Sequence, residues 1–325
     1  ADAENALGNF TPIPVGQDHE IAQKVSVRLD PAGHILGASI VTLTVEGKTI
    51  VFSGDLGRPN SATMVDPTPI GRADYLVVES TYGNRHHERS DPEDALAEIV
   101  TRTAARGGSV LIPSFAVGRA QTLLYHVQNL KETHRIPDLP VFLDSPMAIN
   151  ASDTFCRHVK DHRLSEAECR RTCAVARYTR EVAESKAIDA NTMPKIIISA
   201  SGMATGGRIL HHLKHYAPDH RNTILFAGFQ AGGTRGAAII GGAKSVKIHG
   251  AYVPINAEVE NLHMLSAHAD ADEILGWLGN FRAPPKTTFI THGEPDASDA
   301  LRHRIENQLE WRCVVPDYKD EVDLA

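Results

Sequence analysis

YLVVESTYGNRHHERSDPEDALAEIV, residues 75–100, contains the change of rhythm that decides the fold. Tyr75 to Val78 is a short apolar strand ending on Glu79. Upstream, Val41 to Val45 and Thr49 to Ser53 alternate apolar and polar residues around the turn Glu46-Gly47-Lys48, as a hairpin does. Downstream, Ser90-Asp91-Pro92-Glu93 reads as a capping box with proline in the first turn, opening a helix through Arg106. Short apolar strands at Val110 to Pro113, Val141 to Leu143, Ile196 to Ser199 and Ile224 to Phe226 then alternate with helical stretches such as Arg119 to Leu130 and Arg208 to Tyr216. That succession predicts a parallel sheet with crossover helices, a Rossmann-like domain. After Lys244, hairpin-like strands return, followed by a helix from Asp272 to Phe281, a strand from Thr287 to Thr291 and an amphipathic helix from Ser298 to Leu309. The α/β block is thus expected as an insertion, with residues 1-85 and 246-325 forming one β-rich domain and 86-245 standing between them.

A chain of 325 residues is too long for one ordinary core, which agrees with a split domain. With 42% hydrophobic and 22% charged residues it has a globular composition. Forty acids against 33 bases give a net charge of −7, so any nucleic acid must be held in a local groove and not by a global basic field. The longest apolar runs have strand length, and no membrane segment is predicted. Four scattered cysteines, Cys156, Cys169, Cys173 and Cys313, do not make a disulfide framework, and the expected compartment is reducing cytoplasm. Cys169 and Cys173 stand four apart on a predicted helix, where a shared metal is conceivable, but buried or incidental thiols are the favoured reading.

Histidine occurs 17 times, and pairs such as His86-His87 and His211-His212 read as solvated surface residues. Three others differ: His34, His268 and His292 lie at the ends of predicted strands in loops of small residues, as do Asp55 and Glu79. A single carboxylate at a strand end is more often a cap than a ligand. Five such residues on both flanks of an insertion point to a metal, because zinc takes imidazole and carboxylate donors held by rigid strands.

The stretches GHILGAS (33–39), FSGDLGR (52–58), VESTYGNR (78–85), SAHAD (266–270) and THGE (291–294), in this order, resemble the successive motifs of β-CASP proteins of the metallo-β-lactamase superfamily. The likeness is greatest to archaeal and bacterial relatives of the pre-mRNA 3′-end cleavage endonuclease. PSFAVGRAQ, DSPMA, SASGMATGGR and FAGFQAGGTRG extend it through the insertion. The resemblance implies an α/β fold, a partial metallo-β-lactamase αββα sandwich with an inserted Rossmann-like β-CASP domain. It further implies two zinc ions, with His34 on one, His292 on the other and Asp55 between them, and RNA as the partner. Two zincs about 3.5–4 Å apart suit in-line attack on phosphorus and neutralise phosphate charge. His268 is then the candidate general acid or phosphate-oxygen stabiliser, oriented by Glu79, since an imidazole can protonate a departing oxygen. His292, where DNA-repair members have valine, favours RNA.

Ser201-Gly202-Met203, a Gly-rich turn before a helix, is the candidate phosphate-binding turn, with Arg119 and Arg208 adding charge. The superfamily's HxHxDH signature, expected upstream of His34, is absent, and Asp18-His19 in the polar stretch GQDHE lacks the partner histidines. The expectation is therefore an N-terminally incomplete zinc-dependent endo- or 5′-exoribonuclease whose activity in this chain is impaired. A non-catalytic RNA-binding or scaffold subunit, or a small-ester hydrolase on the same fold, are the other readings, and a homodimer is left open.

Overall fold

The computed structural model describes residues 2–324 and divides into two compact units, one made of residues up to 60, 66–86 and 268 onward, the other of 61–65 and 87–267. The chain therefore leaves the first unit and returns to it. Its final return falls at residue 268, beyond Lys244, where the sequence rhythm changes.

The first unit is built on a seven-stranded sheet in the order His19–Ala22, Val25–Pro31, Ser39–Val45, Lys48–Phe52, Tyr75–Glu79, Thr287–Thr291, Cys313–Val314. The first four strands are antiparallel, and from Lys48–Phe52 onward the neighbours are parallel. Ile40, Val51, Leu76, Val78 and Ile290 lie in one buried cluster with Ile274, Trp277 and Leu278 of the helix Ala271–Leu278 and with Leu301 and Ile305 of the helix Pro295–Leu309. The polar stretch GQDHE does not stay a loop: His19 opens the edge strand.

The register places the ends of these strands together. Phe52 pairs with Val77 and Thr291 with Glu79 in parallel, so the residues that follow all three strands emerge at one edge. Antiparallel pairing of Val41 with Phe52 and of Pro31 with Ser39 brings the 32–38 loop to the same edge. Ligands of α/β sheets are generally met at the carboxyl ends of parallel strands.

The second unit carries a six-stranded, wholly parallel sheet, ordered Glu258–Asn261, Thr223–Phe226, Val110–Pro113, Ile196–Ser199, Val141–Leu143, Arg177–Tyr178. Its central strands are buried throughout, which is why they read as short continuous apolar runs. The helix Pro92–Ala105 is capped by Asp91, whose carboxylate accepts from the Glu93 amide at 2.8 Å, and not by Ser90. The hairpin Ser245–Ile248 with Ala251–Pro254 belongs to this unit. So does Glu258–Asn261, whose parallel pairing with Thr223–Phe226 draws residues 246–267 away from the closing segment suggested by the sequence. No helix among the described residues is long and apolar enough to cross a membrane.

Candidate metal centre

All five strand-end residues singled out in the sequence meet within the first unit. Asp55 follows Lys48–Phe52, Glu79 ends Tyr75–Glu79, His292 follows Thr287–Thr291, and His34 lies in the loop between Val25–Pro31 and Ser39–Val45. His268 stands just before the helix Ala271–Leu278, which Asp270 opens with a capping box. Single β-bridges join Gly33 to Leu56 and Gly57 to His268, and the Gly57 amide donates to Ala32 O at 2.7 Å. The three loops are thereby stitched edge to edge. Gly57 is required there because a Cβ would stand 2.0 Å from Gly33 O.

Asp55 lies between two imidazoles, Oδ1 3.2 Å from His292 Nδ1 and Oδ2 3.9 Å from His34 Nε2. The His34 and His268 rings have centroids 4.2 Å apart. Glu79, with a side chain only 1% exposed, accepts from the Leu56 amide at 2.5 Å and from His268 Nδ1 at 3.1 Å. Both interactions fix the His268 ring, and with Nδ1 turned to Glu79, Nε2 is the nitrogen that would exchange a proton with a ligand. Thr81, which the sequence did not single out, places its Oγ1 3.2 Å from His292 Nδ1 and donates to His292 O at 3.1 Å. Ser80 donates to Thr291 O at 2.7 Å and shares a hydrogen bond with Ser298. The motif ESTYG thus positions His292 as well as His268, a signal present in the sequence but not separable there from a turn.

Donor atoms of His34, Asp55 and His268 lie within 4.8 Å of one another, as do those of Asp55, Glu79 and His292. Imidazole and carboxylate are donors zinc takes, so the residues present fit that ion. Because the Glu79 oxygens are engaged by Leu56 and His268, Asp55 and His292 are the better donors of the second set.

The candidate phosphate turn lies in the second unit and is largely self-satisfied: Ser201 Oγ accepts from the Thr205 and Gly206 amides at 3.1 and 3.2 Å. The structure gives one of the two candidate arginines another task. Arg208 spends its guanidinium on Asp144 Oδ1 at 2.6 Å, Thr179 O at 3.0 Å and Arg180 O at 2.6 Å, so its charge is already matched. Arg119 is buried, with Nη2 3.5 Å from where a Cβ of residue 228 would stand. Phe115, half-exposed, lies over Gly202, where a Cβ would meet its ring at 2.6 Å.

Asp144 of DSPMA is the hub beneath this turn, accepting also from Ser185 Oγ at 2.5 Å and His212 Nε2 at 2.8 Å. Burial pushes its carboxyl up, but the hydrogen bonds from His212, Ser185 and Arg208 outweigh this and hold it below the usual range. His212 has no exposed side-chain surface and lies between Asp144 and Asp189, the latter 2.7 Å from Nδ1. Burial opposes its charge, yet the two carboxylates raise it to about 9. The surface reading fails for His212, and for His87, which is buried as well. Neither burial shows in a doublet of histidines.

The Beta-Casp domain family matches residues 120–239, and the family described as a Zn-dependent metallo-hydrolase RNA specificity domain matches 252–316. The chain is 38% identical over 313 residues to ribonuclease TTHA0252 of Thermus thermophilus, covering 92% of this chain and 70% of that protein. It is 30% identical to an RNase J-like protein of Methanocaldococcus jannaschii, covering 97% and 75%, and 29% identical to the transcription termination factor FttA of the same organism, covering 94% and 52%. A crystal structure of a protein of unknown function from Enterococcus faecalis V583 shares the fold with a TM-score of 0.53 at 12% identity, over 95% of this chain and 67% of that one. Fold and family matches together define a metallo-β-lactamase-type α/β protein with a β-CASP insertion. The chain belongs to the β-CASP family of ribonucleases.

Proposed function

We propose that the protein hydrolyses RNA phosphodiester bonds in a zinc-dependent reaction, as an endo- or 5′-exoribonuclease of RNA processing or decay. One observation carries this reading: His34, Asp55, Glu79, His268 and His292 converge at one edge of a rigid sheet. His34, Asp55 and His292 would hold zinc, which when bound polarises water and offsets phosphate charge. Asp55, standing between the two imidazoles, orients both rings. His268 gives a proton from Nε2 to the departing oxygen, and Glu79, on Nδ1, keeps the ring aimed. The Leu56 amide in turn fixes Glu79. The Ser201-Gly202-Met203 turn and the ring of Phe115 are the proposed RNA contacts of the second unit, since an exposed aromatic offers a face to a base.

Hydrolytic zinc ordinarily has three protein donors and an open position. His34, Asp55 and His292 are the part of that donor set proposed for this chain. Two relatives, named ribonuclease and RNase J-like, support RNA as the substrate, and a third is named a transcription termination factor. Single-stranded RNA, single-stranded DNA and a chromogenic ester offered side by side at saturating zinc test the proposal. Turnover of RNA above the other two is expected, and turnover of the ester alone would overturn it.

A further inference from the structure

Three of the four cysteines meet on the second unit, apart from every residue used above. Cys156 stands in the last turn of the helix Pro146–Arg157, while Cys169 and Cys173 lie one turn apart on the helix Glu166–Ala174 and so share a face. Their sulfurs all lie within 4.8 Å of one another, with Cys156 Sγ 2.8 Å from Cys173 Sγ and 3.5 Å from Cys169 O. Cys169 is buried, whereas Cys156 and Cys173 are half-buried and line an open cleft with Asp153, Arg157 and Arg170. The trio is thus closed on one side and accessible on the other.

We propose that Cys156, Cys169 and Cys173 form a site for a thiophilic divalent cation of the zinc class, held by three thiolates with the fourth position open to the cleft. A zinc–sulfur bond of about 2.3 Å sets tetrahedral sulfurs about 3.8 Å apart, so each pair needs to shift by only about 1 Å. Each thiol releases its proton to solvent as its bond to the metal forms. Three thiolates around a divalent ion leave one negative charge, which Arg157 at the mouth of the cleft would offset, Arg170 being paired with Glu166 at 2.9 Å. A disulfide between Cys156 and Cys173 would leave Cys169 without a purpose.

Cobalt(II) titrated into reduced, metal-free protein without oxygen tests the site, because thiolate-to-cobalt charge transfer absorbs in the near ultraviolet and the imidazole and carboxylate cluster of the first unit has no sulfur to produce it. The band should saturate at one equivalent, yield to zinc, vanish in Cys169→Ser and Cys173→Ser, and persist in Cys313→Ser. Since the unsubstituted protein alone must show the band, a folding defect in a variant cannot rescue the proposal. It is overturned by no band, by a band unchanged in Cys169→Ser, or by a protein that takes no cobalt and in air merely loses two thiols and two hydrogens of mass.

Discussion

Replacing Asp144 by asparagine keeps the side chain's shape but removes the charge that Arg208 and His212 share under the SASGMATGGR turn. Breaking a buried ion pair from one side costs about 3–5 kcal/mol. Part of that cost depends on pH. His212 rises from its ordinary 6.5 to about 9 in the folded chain, and at about 1.4 kcal/mol per tenfold this amounts to about 3 kcal/mol of stability. Because the folded value lies above the unfolded one, the contribution is complete below pH 6.5 and disappears as pH rises through about 9. Asp189 remains 2.7 Å from the other ring nitrogen, so about half of the term, roughly 1–2 kcal/mol, should go with Asp144. The Asp144 carboxylate itself, held below its ordinary 3.8, stays ionised across this window and adds a constant. Urea unfolding of wild type and Asp144→Asn between about pH 6 and pH 10 should give a gap of several kcal/mol at the acid end that narrows by roughly 1–2 kcal/mol at the alkaline end. A gap that stays constant or widens with pH would refute the assignment of a charged His212.

Gly57→Ala should lower the thermal midpoint by an amount corresponding to about 1–3 kcal/mol or more, since the new Cβ meets Gly33 O and must force the His34 and Asp55 loops apart. An unchanged midpoint would show that those loops are not held as described. RNA binding should weaken as salt rises despite the net charge of −7, as phosphate contacts require, and salt-independent binding would remove the proposed phosphate contacts. Arg208→Ala should reduce stability and leave that slope nearly unchanged, because its guanidinium is already committed to Asp144 and two carbonyls.

The central strands of both sheets were legible because their residues fall into two simple patterns: alternation in Val41 to Val45, and buried apolar runs such as Ile196 to Ser199. The strand-end histidines and acids were legible because small residues isolate them from any helical or strand periodicity. Glu258–Asn261 was not, since its four residues, two of them glutamate, have no apolar pattern; parallel pairing with Thr223–Phe226 defines it as a strand. The tasks of Arg208 and His212 were hidden for a related reason. Asp144 lies 64 and 68 residues away from them in the chain, and only the folded sheet brings its carboxylate beneath both. Likewise Cys156 is 13 residues from Cys169, and helix packing rather than spacing joins it to the other two thiols.

The division of labour at the sheet edge is tested most directly by measuring zinc affinity and single-turnover RNA cleavage at saturating zinc on the same preparations of wild type, Asp55→Asn and His268→Ala. Asp55→Asn should lose both zinc and cleavage, since Asp55 stands between His34 and His292. His268→Ala should keep its zinc affinity and cleave roughly 10² to 10⁴ times more slowly, the loss expected when a proton donor acts only in the transition state. Zinc lost from His268→Ala, or cleavage retained by Asp55→Asn, would contradict the account.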